Sequence, residues 1–98
     1  MALLGQIKMG IMLITFKIMP EAIETDLNRI EIEAKEVISI YEGSFVSSKK
    51  EPVAFGLNSL SISFSLNENK EIDPIEDQIR NIEGVISIEV SDMRRMIG

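Results

Sequence analysis

The chain has 98 residues, with 10 Lys and Arg against 16 Asp and Glu, for a formal charge of −6. It contains no Cys, His or Trp. Disulfide frameworks, thiol nucleophiles, thiolate zinc sites and imidazole general bases are therefore excluded. The length suits one domain, and the acidic balance argues against broad nucleic-acid binding, which needs clustered cations.

The first element predicted is a strand over 10–19. Met12, Ile14, Phe16 and Ile18 share one face, and Ile11 and Leu13 make the other face apolar too, so the strand is expected to be central. Pro20 ends it. This apolar run, flanked by Lys8 and Lys17, is far short of the roughly 20 residues that cross a bilayer. It also lacks the flanks and cleavage site of a signal peptide.

Residues 25–41 read as a helix. Leu27, Ile30, Ala34, Val37, Ile38 and Tyr41 form one stripe. Thr25 or Asp26 can cap it, and Gly43 can stop it. Residues 45–51 form a weaker strand, diluted by Ser47, Ser48, Lys49 and Lys50 as an edge strand is. Ala54-Phe55-Gly56-Leu57 is then a loop.

Residues 59–66 alternate Ser with Leu60, Ile62, Phe64 and Leu66, giving one core face and one small polar face. A second helix opens at Asp73-Pro74-Ile75-Glu76, with Asp73 as N-cap and Glu76 at capping-box spacing. Ile75, Ile79 and Ile82 line its buried side, and Gly84 ends it. A last strand covers 85–93, with Ile86, Ile88 and Val90 facing one way.

The order β-α-β-β-α-β is the split-βαβ, ferredoxin-like arrangement, an α+β fold. It predicts a four-stranded antiparallel sheet in the order 4-1-3-2, with both helices on one face. Residues 1–8 have no place in this scheme and are expected to be an extension that is disordered or not native. Residues 9–98 form the single domain.

The charge is uneven. Residues 21–42 hold seven acids against two bases, and residues 68–83 hold six against two. The helix side is expected to be acidic, either as a solvated face or as a face that docks a basic partner. No catalytic constellation, phosphate loop or metal cluster emerges. The pairs Asp73/Asp77 and Glu33/Glu36 are read as solvated helix surface.

Two features stay open on the residues alone. Phe55 either plugs the end of the core or stands out as an aromatic anchor for a partner. Arg94 and Arg95 are either a frayed basic tail or an interface pair.

Met9-Gly10-Ile11, Lys17 to Glu21, Glu51-Pro52-Val53-Ala54-Phe55-Gly56-Leu57, Ile82-Glu83-Gly84-Val85, Glu89-Val90 and Asp92-Met93-Arg94-Arg95 together resemble archaeal elongation factor 1-beta. The resemblance covers nearly the whole chain and implies the fold already reached. It also implies guanine nucleotide exchange on the translation GTPase elongation factor 1-alpha, by disturbing that protein's magnesium and phosphate site. On this reading the chain is a cytoplasmic, non-covalent exchange factor and a monomer, with no cofactor or metal and no direct nucleic-acid or membrane partner. Phe55, flanked by Gly56 and Leu57, is implied to contact the GTPase. Eukaryotic relatives carry a lysine just before their C-terminus. This chain ends Met96-Ile97-Gly98, so Arg94 and Arg95 are its nearest cations. The alternative is a small-ligand-binding regulatory module of the same fold.

Overall fold

The computed structural model describes residues 10–96. The expected extension 1–8 lies outside them.

Six elements follow the expected order: β1 (Ile11–Pro20), α1 (Leu27–Ile40), β2 (Ser44–Pro52), β3 (Asn58–Asn67), α2 (Asp73–Arg80) and β4 (Val85–Met96). The sheet runs β2-β3-β1-β4, with every pairing antiparallel. That is the expected 4-1-3-2 order read from the other edge.

The two central strands dictate this arrangement. Ile14, Phe16 and Ile18 of β1 and Leu60, Ile62 and Phe64 of β3 are fully buried on one face. They meet Ile30, Ala34 and Ile38 of α1 and Ile75 and Ile79 of α2 in a single core. The Phe16 and Phe64 rings pack tilted, with centroids 5.2 Å apart, within the favourable range for aromatic pairs. On the opposite face the Thr15 and Ser63 hydroxyls share a hydrogen bond of 2.7 Å. Ser61 is buried there, paired in register with Lys17 and Lys49.

Asp26 caps α1: its Oδ1 accepts from the backbone N–H groups of Asn28 (3.0 Å) and Arg29 (3.2 Å). Thr25 instead closes the preceding turn by accepting the Ala22 N–H at 3.1 Å. At the other end Glu42, not Gly43, takes the left-handed conformation, with φ 68°. The Gly43 N–H reaches the Ile38 carbonyl and the Glu42 N–H the Ser39 carbonyl, which is the Schellman pattern.

The expected capping box on α2 does not form. The Ile72 carbonyl already accepts from Ile75 and Glu76. The first turn thus opens one residue early, Ile72 is the N-cap, and no side chain caps it. Asp73 and Glu76 lie inside that turn, where they still favour the positive end of the helix dipole.

The last strand departs most from expectation. It runs three residues further, pairing Arg94 with Leu13 and Arg95 with Met12, so these arginines are strand residues and not a frayed tail. Two register shifts interrupt β4. Thr15 pairs with Asp92 while Phe16 pairs with Val90, and Met19 pairs with Ser87 while Pro20 pairs with Val85. Ser91 and Ile86 are the extra residues. Each bulge moves the alternation by one position. Ile88 is consequently buried, whereas Ile86 is 64 % exposed, so the three do not share one buried face.

Candidate partner-binding site

Three connections converge at the end of the sheet where β1 and β2 finish and β3 and β4 begin. The first is the tight turn Ala54-Phe55-Gly56-Leu57. The Leu57 N–H donates to the Ala54 carbonyl and the Val53 N–H to the Leu57 carbonyl, both at 2.9 Å. Phe55 has φ 53° and Gly56 φ 79°. Positive φ at both central positions marks a turn of the I′ kind, whose twist matches the strands it joins. Asn, Asp or Gly normally takes the first of these positions. A bulky residue there costs about 1–2 kcal/mol. The ring gains nothing from burial in return, since Phe55 is 92 % exposed. That settles the core-plug alternative against it.

The second connection, 21–26, is held by the Thr25–Ala22 turn and by the Glu21 N–H, which donates to the Gly84 carbonyl at 2.8 Å. The third, 81–84, is clamped by Arg29. Its Nη2 donates to the Glu83 carbonyl at 2.6 Å while Nη1 lies 2.7 Å from Glu33 Oε2. Gly84 is required here on two counts. Its φ is 98°, and a Cβ would lie 3.0 Å from Thr25 Cγ2 and 3.1 Å from Arg29 Nη2.

Arg94 and Arg95 are elsewhere. They pair with the start of β1, at the opposite end of the sheet. Pro20 lies eight residue steps along β1 from Met12, which is roughly 27 Å at the usual rise. Both guanidiniums have internal partners. Arg94 Nε lies 3.0 Å from Asp92 Oδ2, and Arg95 Nη2 lies 2.7 Å from Glu68 Oε1. The sequence-derived set thus divides into Phe55, Gly56 and Leu57 at one end and the two arginines at the other.

The acidic helix side is partly compensated. Arg29 pairs with Glu33, Lys35 with Glu31, and Arg80 with Glu76 and Asp77. Ser48 donates to Glu31 at 2.8 Å and Lys50 to Asn28 at 2.6 Å. Lys50 therefore ties β2 to α1 and does not merely guard an edge. Lys35 Nζ sits 4.3 Å from the Phe45 ring centroid, a cation–π contact. On the open sheet face a hollow of about 520 Å³ is lined by Thr15, Ser47, Ser61, Ser63 and Ser91 with Lys49. Among the described residues no group of acids is arranged to hold a metal ion.

Comparison with known proteins decides the family. Residues 13–96 match the model described as the EF-1 guanine nucleotide exchange domain. The chain belongs to that family. Elongation factor 1-beta of Methanococcoides burtonii is 35 % identical over 91 % of this chain and the whole of that protein. The same-named proteins of Methanothermobacter thermautotrophicus and Metallosphaera sedula are 35 % and 36 % identical over 91 % and 86 % of this chain and 100 % and 93 % of theirs.

Solved structures are similar to the exchange domain in fold alone. The C-terminal domain of MgtC from Mycobacterium tuberculosis aligns with a TM-score of 0.65 at 8 % identity, covering 91 % of this chain and 90 % of that one. The ACT domain of a Chlorobium tepidum GTP pyrophosphokinase aligns at 0.55 and 18 %, covering 80 % and 95 %.

Sequence reading of the exchange domain missed two exposed residues at the Phe55 end. Alternation puts Ile86 on one face with Ile88 and Val90, and the bulge breaks that alternation. Ile23, 65 % exposed, falls in a connection without periodicity.

Proposed function

We propose that this exchange domain promotes the replacement of GDP by GTP on translation elongation factor 1-alpha, as a non-covalent factor. The observation that carries the reading is Phe55: a large aromatic, almost fully exposed, held in a backbone conformation unfavourable to it. Stability alone would select a polar residue or glycine there. Exposed aromatics in strained turns serve recognition.

Exchange needs no bond to be made or broken. A factor that binds the nucleotide-free GTPase better than the GDP-bound form must weaken GDP by the same factor. GDP then leaves, and GTP binding expels the factor. The contact is proposed to act on the magnesium- and phosphate-binding part of the GTPase. Phe55, Gly56 and Leu57 form one contact on this reading. Arg94 and Arg95 form a second, exchanging weak surface pairs with Asp92 and Glu68 for partner groups.

The chain is further proposed to work as a monomer in the cytoplasm, without direct nucleic-acid or membrane contact. Among the described residues no helix is long and apolar enough to cross a membrane.

The test follows release of labelled GDP from elongation factor 1-alpha in excess GTP. Accelerated release is expected. Unchanged release at saturating factor overturns the reading.

A further inference from the structure

Among the described residues, five large apolar side chains are at least 60 % exposed: Ile23, Ile32, Ile40, Phe55 and Ile86. Three of the five lie at the Phe55 end, each on a different connection or bulge. Val53, 40 % exposed, adds to them. Their positions are coupled. A Cβ on Gly56 would lie 3.2 Å from Ile23 Cδ1, so Ile23 rests against the Phe55 turn. Ile86 is the bulge residue beside the Pro20–Val85 pair, and Glu21, next along the chain from Pro20, is tied to Gly84.

Glu21, Glu24 and Glu83 are exposed on the same connections. None of the three forms an ion pair among the described residues. Of the cations toward this end, Arg29 is engaged with Glu33 and the Glu83 carbonyl, Lys50 with Asn28, and Lys49 with Glu51, while Lys17 stands level with Lys49 across Ser61, opposite Glu89. Exposed apolar side chains thus stand beside three glutamates that form no ion pair among the described residues. Interfaces place their energy in apolar centres, while rim charges steer the encounter and select the partner.

We propose that Ile23, Phe55 and Ile86 form one docking platform, and that its occupant is a face of the GTPase presenting an apolar hollow rimmed by Lys or Arg side chains. This rests on the exchange reading above and extends it in two respects. Phe55 does not act alone, and the glutamates around it set the rate of encounter. The side chain of Ile86 reaches the partner only because the bulge releases it from the core. Ile23 sits against the turn at Gly56, so the aromatic and the isoleucine meet the partner as a unit.

The experiment measures GDP release from elongation factor 1-alpha with the full chain, across factor concentration and from low to high salt. The variants are Ile23→Ser, Ile86→Ser, Phe55→Ala and the triple Glu21→Gln/Glu24→Gln/Glu83→Gln. Each isoleucine variant is expected to raise the half-maximal factor concentration at least ten-fold, with its melting temperature within a few degrees of the parent. The triple variant is expected to flatten the salt dependence of exchange at low factor concentration, a readout that does not depend on the isoleucine variants folding. If both isoleucine variants match the parent while Phe55→Ala is impaired, the platform is refuted and exchange through Phe55 stands. A salt dependence equal in parent and triple variant refutes the basic-rimmed occupant. A parent chain that leaves release unchanged overturns the exchange reading and the platform with it.

Discussion

The Glu68 carboxylate joins Arg95 to Gly10, tying an edge strand to a central one: it lies 2.7 Å from Arg95 Nη2 and accepts the Gly10 N–H at 3.1 Å. The start of β1 and the end of β4 are thus pinned by one side chain. Because the pair is largely exposed, its removal is expected to cost no more than about 1 kcal/mol. Glu68→Ala should lower the melting temperature by about 5 °C or less. Exchange should hold or rise, since Arg95 is then freer to meet a partner. A ten-fold fall in exchange at unchanged stability would show that the pair itself is needed.

Phe55 offers a sharper separation of stability from function. Asn suits the first central position of a turn with positive φ. Phe55→Asn should therefore relieve strain and leave stability unchanged or higher by about 0.5–1 kcal/mol. The melting temperature should hold or rise by a few degrees, while GDP release at limiting factor slows markedly. Calorimetry and the release assay on one preparation test both halves. A large loss of stability would mean that the ring is packed and not presented.

Gly84 should tolerate nothing larger. Gly84→Ala meets both an unfavourable φ of 98° and the close approach of Thr25 and Arg29. A loss of about 2 kcal/mol is expected, lowering the melting temperature by roughly 10 °C. The Glu21–Gly84 and Arg29–Glu83 bonds should loosen with it. Hydrogen exchange at the Glu21 amide, hydrogen-bonded in the parent, should quicken.

Two carboxylates tie stability to pH. Burial pushes Glu31 up, but hydrogen bonds from Ser48 and Lys35 and the charges of Lys35 and Lys50 outweigh it and hold the group below its ordinary 4.5. Glu42 is held below 4.5 by the hydrogen bond and charge of Lys70, 2.6 Å away. A folded-state pKa below the unfolded one means that the unfolded chain binds protons first as pH falls. Their contribution is fully present above the unfolded value of about 4.5 and is lost as pH falls through the depressed folded values. Melting temperature should be nearly flat above pH 6 and drop below about 4.5. Glu31→Gln should make that acid drop shallower.

Sheet order and core were legible because β1 and β3 carry period-two patterns and α1 a clean helical stripe. Ile14, Phe16, Ile18, Leu60, Ile62 and Phe64 are all where alternation puts them. Bulges were not legible, because a strand's own pattern does not say how many residues its partner spends opposite it. Ile86 and Ser91 show this directly. The Phe55 turn lay hidden for a different reason. Turns with two positive φ values usually announce themselves through Asn-Gly or Asp-Gly, and Phe-Gly carries no such signal. Phe55 was marked as a site residue by resemblance, but its exposure and backbone strain needed coordinates. The residues alone left Arg94 and Arg95 open between a frayed tail and an interface pair, and the structure makes them strand residues. Their polar side chains carry no strand pattern, so the continuation of β4 pairing through them was not legible.

The interruptions in β4 also bear on what the domain avoids. An outermost strand of 12 residues is long enough to recruit a neighbour's backbone into a continuous ribbon. The irregularities at Ile86 and Ser91 disrupt the donor–acceptor rhythm twice along that length. A second chain laid alongside would lose register before pairing more than a few residues. The same insertion that turns Ile86 outward thus makes this rim of the sheet a poor template for stacking, and leaves the concentrated protein less prone to fibrous association.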